Sequence, residues 1–145
     1  IVAYLKEKHR VNSLYLVGTS KGTLSAAYLS SVLTEPAIDG VILTSAYSPG
    51  ECTGIDYAAI DNPVLIIHHL YDECRVTPIQ GAVELKEKLT ESPQVDLVVV
   101  TGGSPPVSGS CSPLSNHGFF GMEKPVIQVV KDWIAGKAVP ERIGK

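Results

Sequence analysis

The sequence has no basic block and no long apolar run. Its formal net charge is −3 over 145 residues, which argues against nucleic acid or an anionic membrane surface as the main partner. No apolar stretch approaches the roughly 18 residues that cross a bilayer as a helix. The longest, around Val64 to Ile67 and Val95 to Val100, are strand-sized. Cysteine is scarce. Cys52, Cys74 and Cys111 form no Cys-x-x-Cys pair, so they fit neither a dense disulfide scaffold nor a zinc site, and buried free thiols are the plain reading. No other pattern asks for a metal or a cofactor. Internal repeats and low-complexity tracts are missing too.

What is present is core-forming material. Hydrophobic residues make up 44% of the chain and charged residues 19%, enough for a packed core in a chain whose length suits one domain, residues 1–145. Short β-rich runs alternate with helical patterns, which predicts βαβ units and a mostly parallel sheet between helices, a three-layer α/β sandwich. Residues 1–9 read as the tail of an amphipathic helix, with Val2, Leu5, Lys6 and His9 at helical spacing. Leu14 to Val17 is a first strand. Lys21 to Leu33 is a helix with a stripe of Leu24, Ala27, Tyr28 and Val32, and with small residues Gly22, Ser25 and Ala26 that allow close approach to a sheet. Pro36 and Gly40 close that unit.

Val41 to Thr44 is a second strand, and a loop from Ser48 to Asn62 follows, with a turn near Tyr57 to Ile60. Val64 to His68 is a continuous apolar strand of the kind covered on both faces. Thr77 before Pro78 reads as an N-cap and N1 proline, so a helix is expected from Pro78 to Leu89. A fourth strand runs from Val95 to Thr101. The long Gly, Ser and Pro-rich loop from Gly102 to Gly118 precedes a last helix from Glu123 to Ala135, and a loop of that length is usually functional or disordered.

Three segments carry chemistry. Gly18-Thr19-Ser20-Lys21-Gly22 matches Gly-x-Ser-x-Gly between a strand and a helix. There the serine needs a turn tight enough to push its hydroxyl off the top of the sheet. The flanking glycines are expected to avoid β-carbon clashes, and the Lys21 N–H points at a substrate oxygen near a helix N-terminus. A glycine-rich turn without chemistry is the alternative. Asp72 lies just past the third strand, where sites gather in open α/β sheets, and a carboxylate there can orient a histidine ring. An ordinary turn aspartate is the alternative, and Glu73 and Asp61 are weaker candidates. His117 follows the fourth strand and precedes the last helix, placed to serve as general base to Ser20 and then general acid. His68, on a strand, competes with it but suits a core position; His9 suits a solvated helix. The chain order is Ser, Asp, His.

With those residues in place, the sequence resembles the α/β-hydrolase superfamily. The likeness rests on Gly18 to Gly22, on Pro63 to Asp72 with Val76-Thr77-Pro78, and on Asn116-His117-Gly118-Phe119 with the helix through Trp133-Ile134. The usual acid loop of the family is similar to His-Gly-x-x-Asp then Val-Pro; here His69 replaces the glycine and Thr77 intervenes before Pro78. The resemblance implies hydrolysis of carboxylic esters through an acyl-serine, with Ser20, His117 and Asp72 as triad, the Lys21 N–H as oxyanion donor, and a small-molecule ester as partner. Thr19, Tyr47, Ser48 and Tyr71, with the Gly102 to Ser115 loop, are expected to wall the pocket.

Four strands are fewer than the family has and leave the nucleophile strand near an edge. The expectation is a fragment, or an edge covered by a partner chain in a homo-oligomer. A non-catalytic module that kept the shape is the contrasting expectation. In the frame of the resemblance, Cys74 and Cys111 fall on the two loops that carry Asp72 and His117, so a disulfide could join them. A bridge would suit a secreted or periplasmic protein, and free thiols the cytoplasm.

Overall fold

The computed structural model describes residues 2–9, 11–33, 38–51 and 54–145. The expectations placed on Pro36 and on Cys52 lie outside the described residues. The elements run in the order α1 (Val2–His9), β1 (Tyr15–Thr19), α2 (Gly22–Val32), β2 (Gly40–Thr44), β3 (Val64–His69), α3 (Ile79–Lys88), β4 (Val95–Val100), α4 (Glu123–Ile134) and β5 (Arg142–Ile143), with short 3-10 turns at Pro49–Glu51 and Asn116–Gly118. Five strands form one sheet in the order β1-β2-β3-β4-β5, and every pair is parallel. The register aligns Thr19 with Thr44, Thr44 with Ile67, and His69 with Val100. The carboxyl ends of β1 to β4 therefore lie along one edge of the sheet, which is where loops can assemble a site.

Side-chain alternation along the strands divides the core in two. Val41, Leu43, Val64 and Ile66 face α2 and α3, packing with Ala26, Ala27, Ala82, Leu85 and Leu89. Ile42, Leu65, Ile67, Val98 and Val100 face the other way, against Val126, Val129 and Trp133 of α4. The result is three layers, with β2 and β3 buried along their whole length. This is the reason those two strands read as unbroken apolar runs. The Trp133 indole N–H donates to Asp96 Oδ2 at 2.8 Å and so ties α4 to β4.

Several expectations need correction. The sheet has five strands rather than four. The fifth is a two-residue rung beside β4, held where Val99 N–H donates to the Glu141 carbonyl and Thr101 N–H to that of Ile143. A strand that short leaves no periodicity to read. The buried face of α2 runs through Thr23, Ala26, Ala27 and Ser30, while Tyr28 and Val32 are exposed. Ala26 and Ala27 let the helix lie close to β1 and β2, so the larger side chains are rotated off the contact; Gly22 and Ser25, expected at that contact, are exposed. The α3 helix begins at Ile79, with Pro78 at the cap position and no side-chain cap. The Thr77 hydroxyl is directed elsewhere. No helix among the described residues is long and apolar enough to cross a membrane.

Candidate active site

The first component sits at the end of β1. Ser20 has φ 53°, in the left-handed region that serine rarely occupies. Its N–H still donates to the Thr44 carbonyl at 3.0 Å, and its own carbonyl accepts from Thr23 Oγ1 at 2.6 Å and Thr23 N–H at 2.9 Å. The strained residue is therefore pinned from both sides, by the sheet and by the first turn of α2. Gly18 makes the turn possible. A β-carbon there would stand 2.5 Å from the Gly22 carbonyl oxygen and 2.8 Å from Thr23 Cα. Gly22 is different, because a β-carbon on it would meet nothing within 4 Å; the expectation that both glycines relieve a clash holds for the first alone. Lys21 caps α2 in a helical conformation, and among the described residues its N–H has no acceptor.

The second component is the turn after β3. Asp72 has a fully buried side chain, and four donors converge on it. Oδ1 accepts from the Cys74 N–H at 2.9 Å. Oδ2 accepts from His117 Nδ1 at 2.9 Å and from the Thr77 hydroxyl at 3.0 Å, with His68 Nε2 3.5 Å away. Burial by itself raises a carboxyl pKa, but here the hydrogen bonds from His117, His68 and the Cys74 N–H outweigh it and hold Asp72 well below the ordinary carboxylate range. The carboxylate stays ionised, as an orienting group for an imidazole must.

The third component is the turn Asn116–Gly118. Ser115 caps it by accepting the His117 N–H at 3.2 Å, and its own hydroxyl is shared between the Ser110 and Ser112 carbonyls. Gly118 is required because a β-carbon would overlap the Pro113 carbonyl. Ser45, itself at φ 46°, donates to the His117 carbonyl at 2.6 Å. Asn116 Nδ2 donates to the Tyr71 carbonyl at 2.9 Å, and a disulfide joins Cys74 to Cys111 with the Cα atoms 4.7 Å apart. The acid loop and the histidine loop are thus tied by Asn116 and by the disulfide, in addition to the Asp72–His117 bond. The ring of His117 is anchored through Nδ1, and among the described residues Nε2 has no partner.

Ser20 and His117 line the same cavity, of about 610 Å³, together with Thr19, Thr44, Cys111 and Pro113. Its far wall is apolar, built from Val17, Ile42, Phe119, Val126, Ile127 and Val130, with Glu123 and Lys131 also bordering it. Thr19 lines the cavity as expected. Tyr47, Ser48 and Tyr71 do not. Ser48 packs over Gly81 of α3, on the opposite face of the sheet, and the Tyr47 N–H is used by Thr23 Oγ1. Tyr71 points outward beside a separate small cleft with Glu73 and Ser108. Of the Gly102 to Ser115 loop, only Cys111 and Pro113 reach the cavity.

One residue at the site, Thr77, has a role there that the sequence pattern does not show, and His68 takes the core position expected of it. Thr77 was masked by its likeness to a helix cap. His68 is buried, and its Nε2 bonds the Thr77 carbonyl at 2.8 Å rather than serving as a free base. His69 is also satisfied, between the Gly102 carbonyl and the Tyr71 N–H. His9 is exposed on α1, as a solvated helix residue should be. Compared with protein-family models, with curated proteins and with solved structures, the chain finds no match.

Proposed function

We propose that this chain is a serine hydrolase of the α/β-hydrolase type that cleaves carboxylic esters. The observation that carries the reading is one constellation. A serine at positive φ on a strand-to-helix turn opens into the cavity lined by a histidine whose far nitrogen is bonded to a buried, ionised aspartate. In this reading His117 Nε2 takes the proton of Ser20 as Oγ attacks the ester carbonyl, and later delivers it to the leaving alkoxide. Asp72 holds the ring in the Nδ1–H tautomer and stabilises the imidazolium that forms. The oxyanion is received by the unused Lys21 N–H at the start of α2, where the helix dipole adds to the attraction. Water then attacks the acyl-serine, with His117 as base.

A contrasting reading, a module that keeps the shape without turnover, is favoured by one feature. The nucleophile strand β1 is paired on one side only among the described residues. The test is labelling with a fluorophosphonate probe. Labelling of the wild type that disappears in Ser20→Ala and is reduced in His117→Ala supports the hydrolase. A folded, concentrated wild type that takes up no probe sinks it in favour of the module.

A further inference from the structure

We infer that Thr77 is a positioning residue for the Asp72–His117 pair, with its own main chain held by His68. The inference rests on the hydrolase reading only for its consequence in turnover; its geometry stands apart from it. Thr77 is fully buried, and its side chain makes no cap for α3, which begins two residues later. Its hydroxyl lies 3.0 Å from Asp72 Oδ2 and 3.1 Å from His117 Nδ1. One hydroxyl proton has to choose between these. A carboxylate can only accept, whereas Nδ1 must give its own proton to the same carboxylate if it is to be oriented by it. The proton of Thr77 therefore goes to Oδ2, and Nδ1 is left no acceptor-type role. With its proton on Oδ2, the hydroxyl turns a lone pair toward Nδ1 and so reinforces the Nδ1–H tautomer that the carboxylate sets, which leaves Nε2 free to work as a base.

The main chain of Thr77 is fixed with equal care. Its N–H donates to the Cys74 carbonyl at 3.0 Å, and its carbonyl accepts from His68 Nε2 at 2.8 Å. Because that carbonyl is an acceptor, Nε2 of His68 carries the proton, and the buried Nδ1 of His68 has no partner among the described residues. An unpartnered buried ring nitrogen costs stability, which is reason to look for a gain elsewhere. The gain is the placement of a proton donor between β3 and the acid loop. His68 from β3 stands 3.5 Å from Asp72 Oδ2, and Glu123 and Lys131 of α4 border the cavity that His117 lines.

The experiment compares Thr77→Val, Thr77→Ala and Thr77→Ser in the full chain. Two readings are taken, the far-downfield proton NMR signal of His117 Nδ1–H, and kcat and KM on a short-chain nitrophenyl ester. Removing the hydroxyl leaves Oδ2 with a single strong donor, so that signal should shift or broaden in the valine and alanine variants, and kcat should fall about tenfold with KM within about twofold. Serine keeps the hydroxyl and should keep both readings at wild-type values. A folded valine or alanine variant, judged by near-ultraviolet circular dichroism, with an unmoved signal and wild-type kcat overturns the inference. So does a serine variant that behaves like valine. A wild type that shows the Nδ1–H signal, sensitive to Thr77, but no Ser20-dependent turnover supports the Thr77 inference and removes the hydrolase reading.

Discussion

At the scale of single residues, the two glycines around Ser20 have different reasons for being there, and this separates them experimentally. Gly18 faces the backbone of Gly22 and Thr23 at distances no β-carbon tolerates. Gly18→Ala should therefore destabilise by about 1–3 kcal/mol, or force the Ser20 turn out of shape. Gly22 opens α2 with free space around it. Gly22→Ala should be neutral or stabilising by up to about 1 kcal/mol, since alanine loses less backbone entropy than glycine in a helix. Urea denaturation of both variants checks the contrast, and equal losses would remove this account of the turn. Asp72 gives a second residue-scale prediction. Its folded pKa lies below the ordinary value of 3.8, so as pH falls past that value the unfolded chain takes up the proton first. The stability owed to ionised Asp72 is complete above about pH 4–5 and is withdrawn progressively below it. Denaturation midpoints between pH 2 and pH 6 should fall less steeply in Asp72→Asn than in the wild type. Ser20 stands out in sequence by its Gly-x-Ser-x-Gly turn, and Asp72 and His117 by their places after β3 and before α4; the structure bonds Asp72 to His117 and puts Ser20 on the same cavity as His117. Thr77 does not stand out. Thr-Pro before a helical pattern has one familiar meaning, and only tertiary contact with a residue 40 positions away gives it another.

At the scale of elements, the site depends on keeping two loops together. The acid loop after β3 and the histidine loop after β4 meet through Asn116, through the Asp72–His117 bond and through Cys74–Cys111. The bridge closes a span of 37 residues, and on chain-entropy grounds it contributes about 3–4 kcal/mol. Cys111→Ser, or reduction of the native protein, should lower the thermal midpoint and weaken fluorophosphonate labelling together. If midpoint falls while labelling of the still-folded protein is unchanged, Asn116 and the Asp72 network suffice to hold the loops. Reading elements from sequence succeeded for β2, β3 and α4, whose apolar patterns are long and unambiguous. For α2 the pattern shows the helix but only part of its contact face, since Ala26 and Ala27 are buried as expected while Tyr28 and Val32 are exposed. A stripe of large apolar residues and a stripe of small ones compete in that helix, and packing distance to the sheet decides between them. The β5 rung is specified by the hydrogen bonds that Val99 and Thr101 find, which no local pattern announces.

At the scale of the whole molecule, the parallel sheet brings one edge of strand ends together while leaving one strand half-used. Asp72 and His117 are 45 residues apart in sequence and meet because β3 and β4 are neighbours in register, with the disulfide and Asn116 holding their loops together. The same sheet ends at β1, which among the described residues pairs with β2 alone. Val17, which also walls the cavity, is 64% exposed, and Tyr28 and Val32 of the adjoining α2 are about half exposed. Free backbone donors and acceptors beside uncovered apolar side chains form a template for another strand. The chain should therefore self-associate, with the mean mass in sedimentation velocity rising across a concentration series. Val17→Lys places a charge on the strand where pairing would begin, and should return the protein to monomer without moving its thermal midpoint by more than about 2–4 °C, since an exposed site contributes little to folding. A wild type that stays monomeric at the highest concentrations, with the same profile as Val17→Lys, would mean that the β1 edge is protected by its own twist and brevity rather than by a partner.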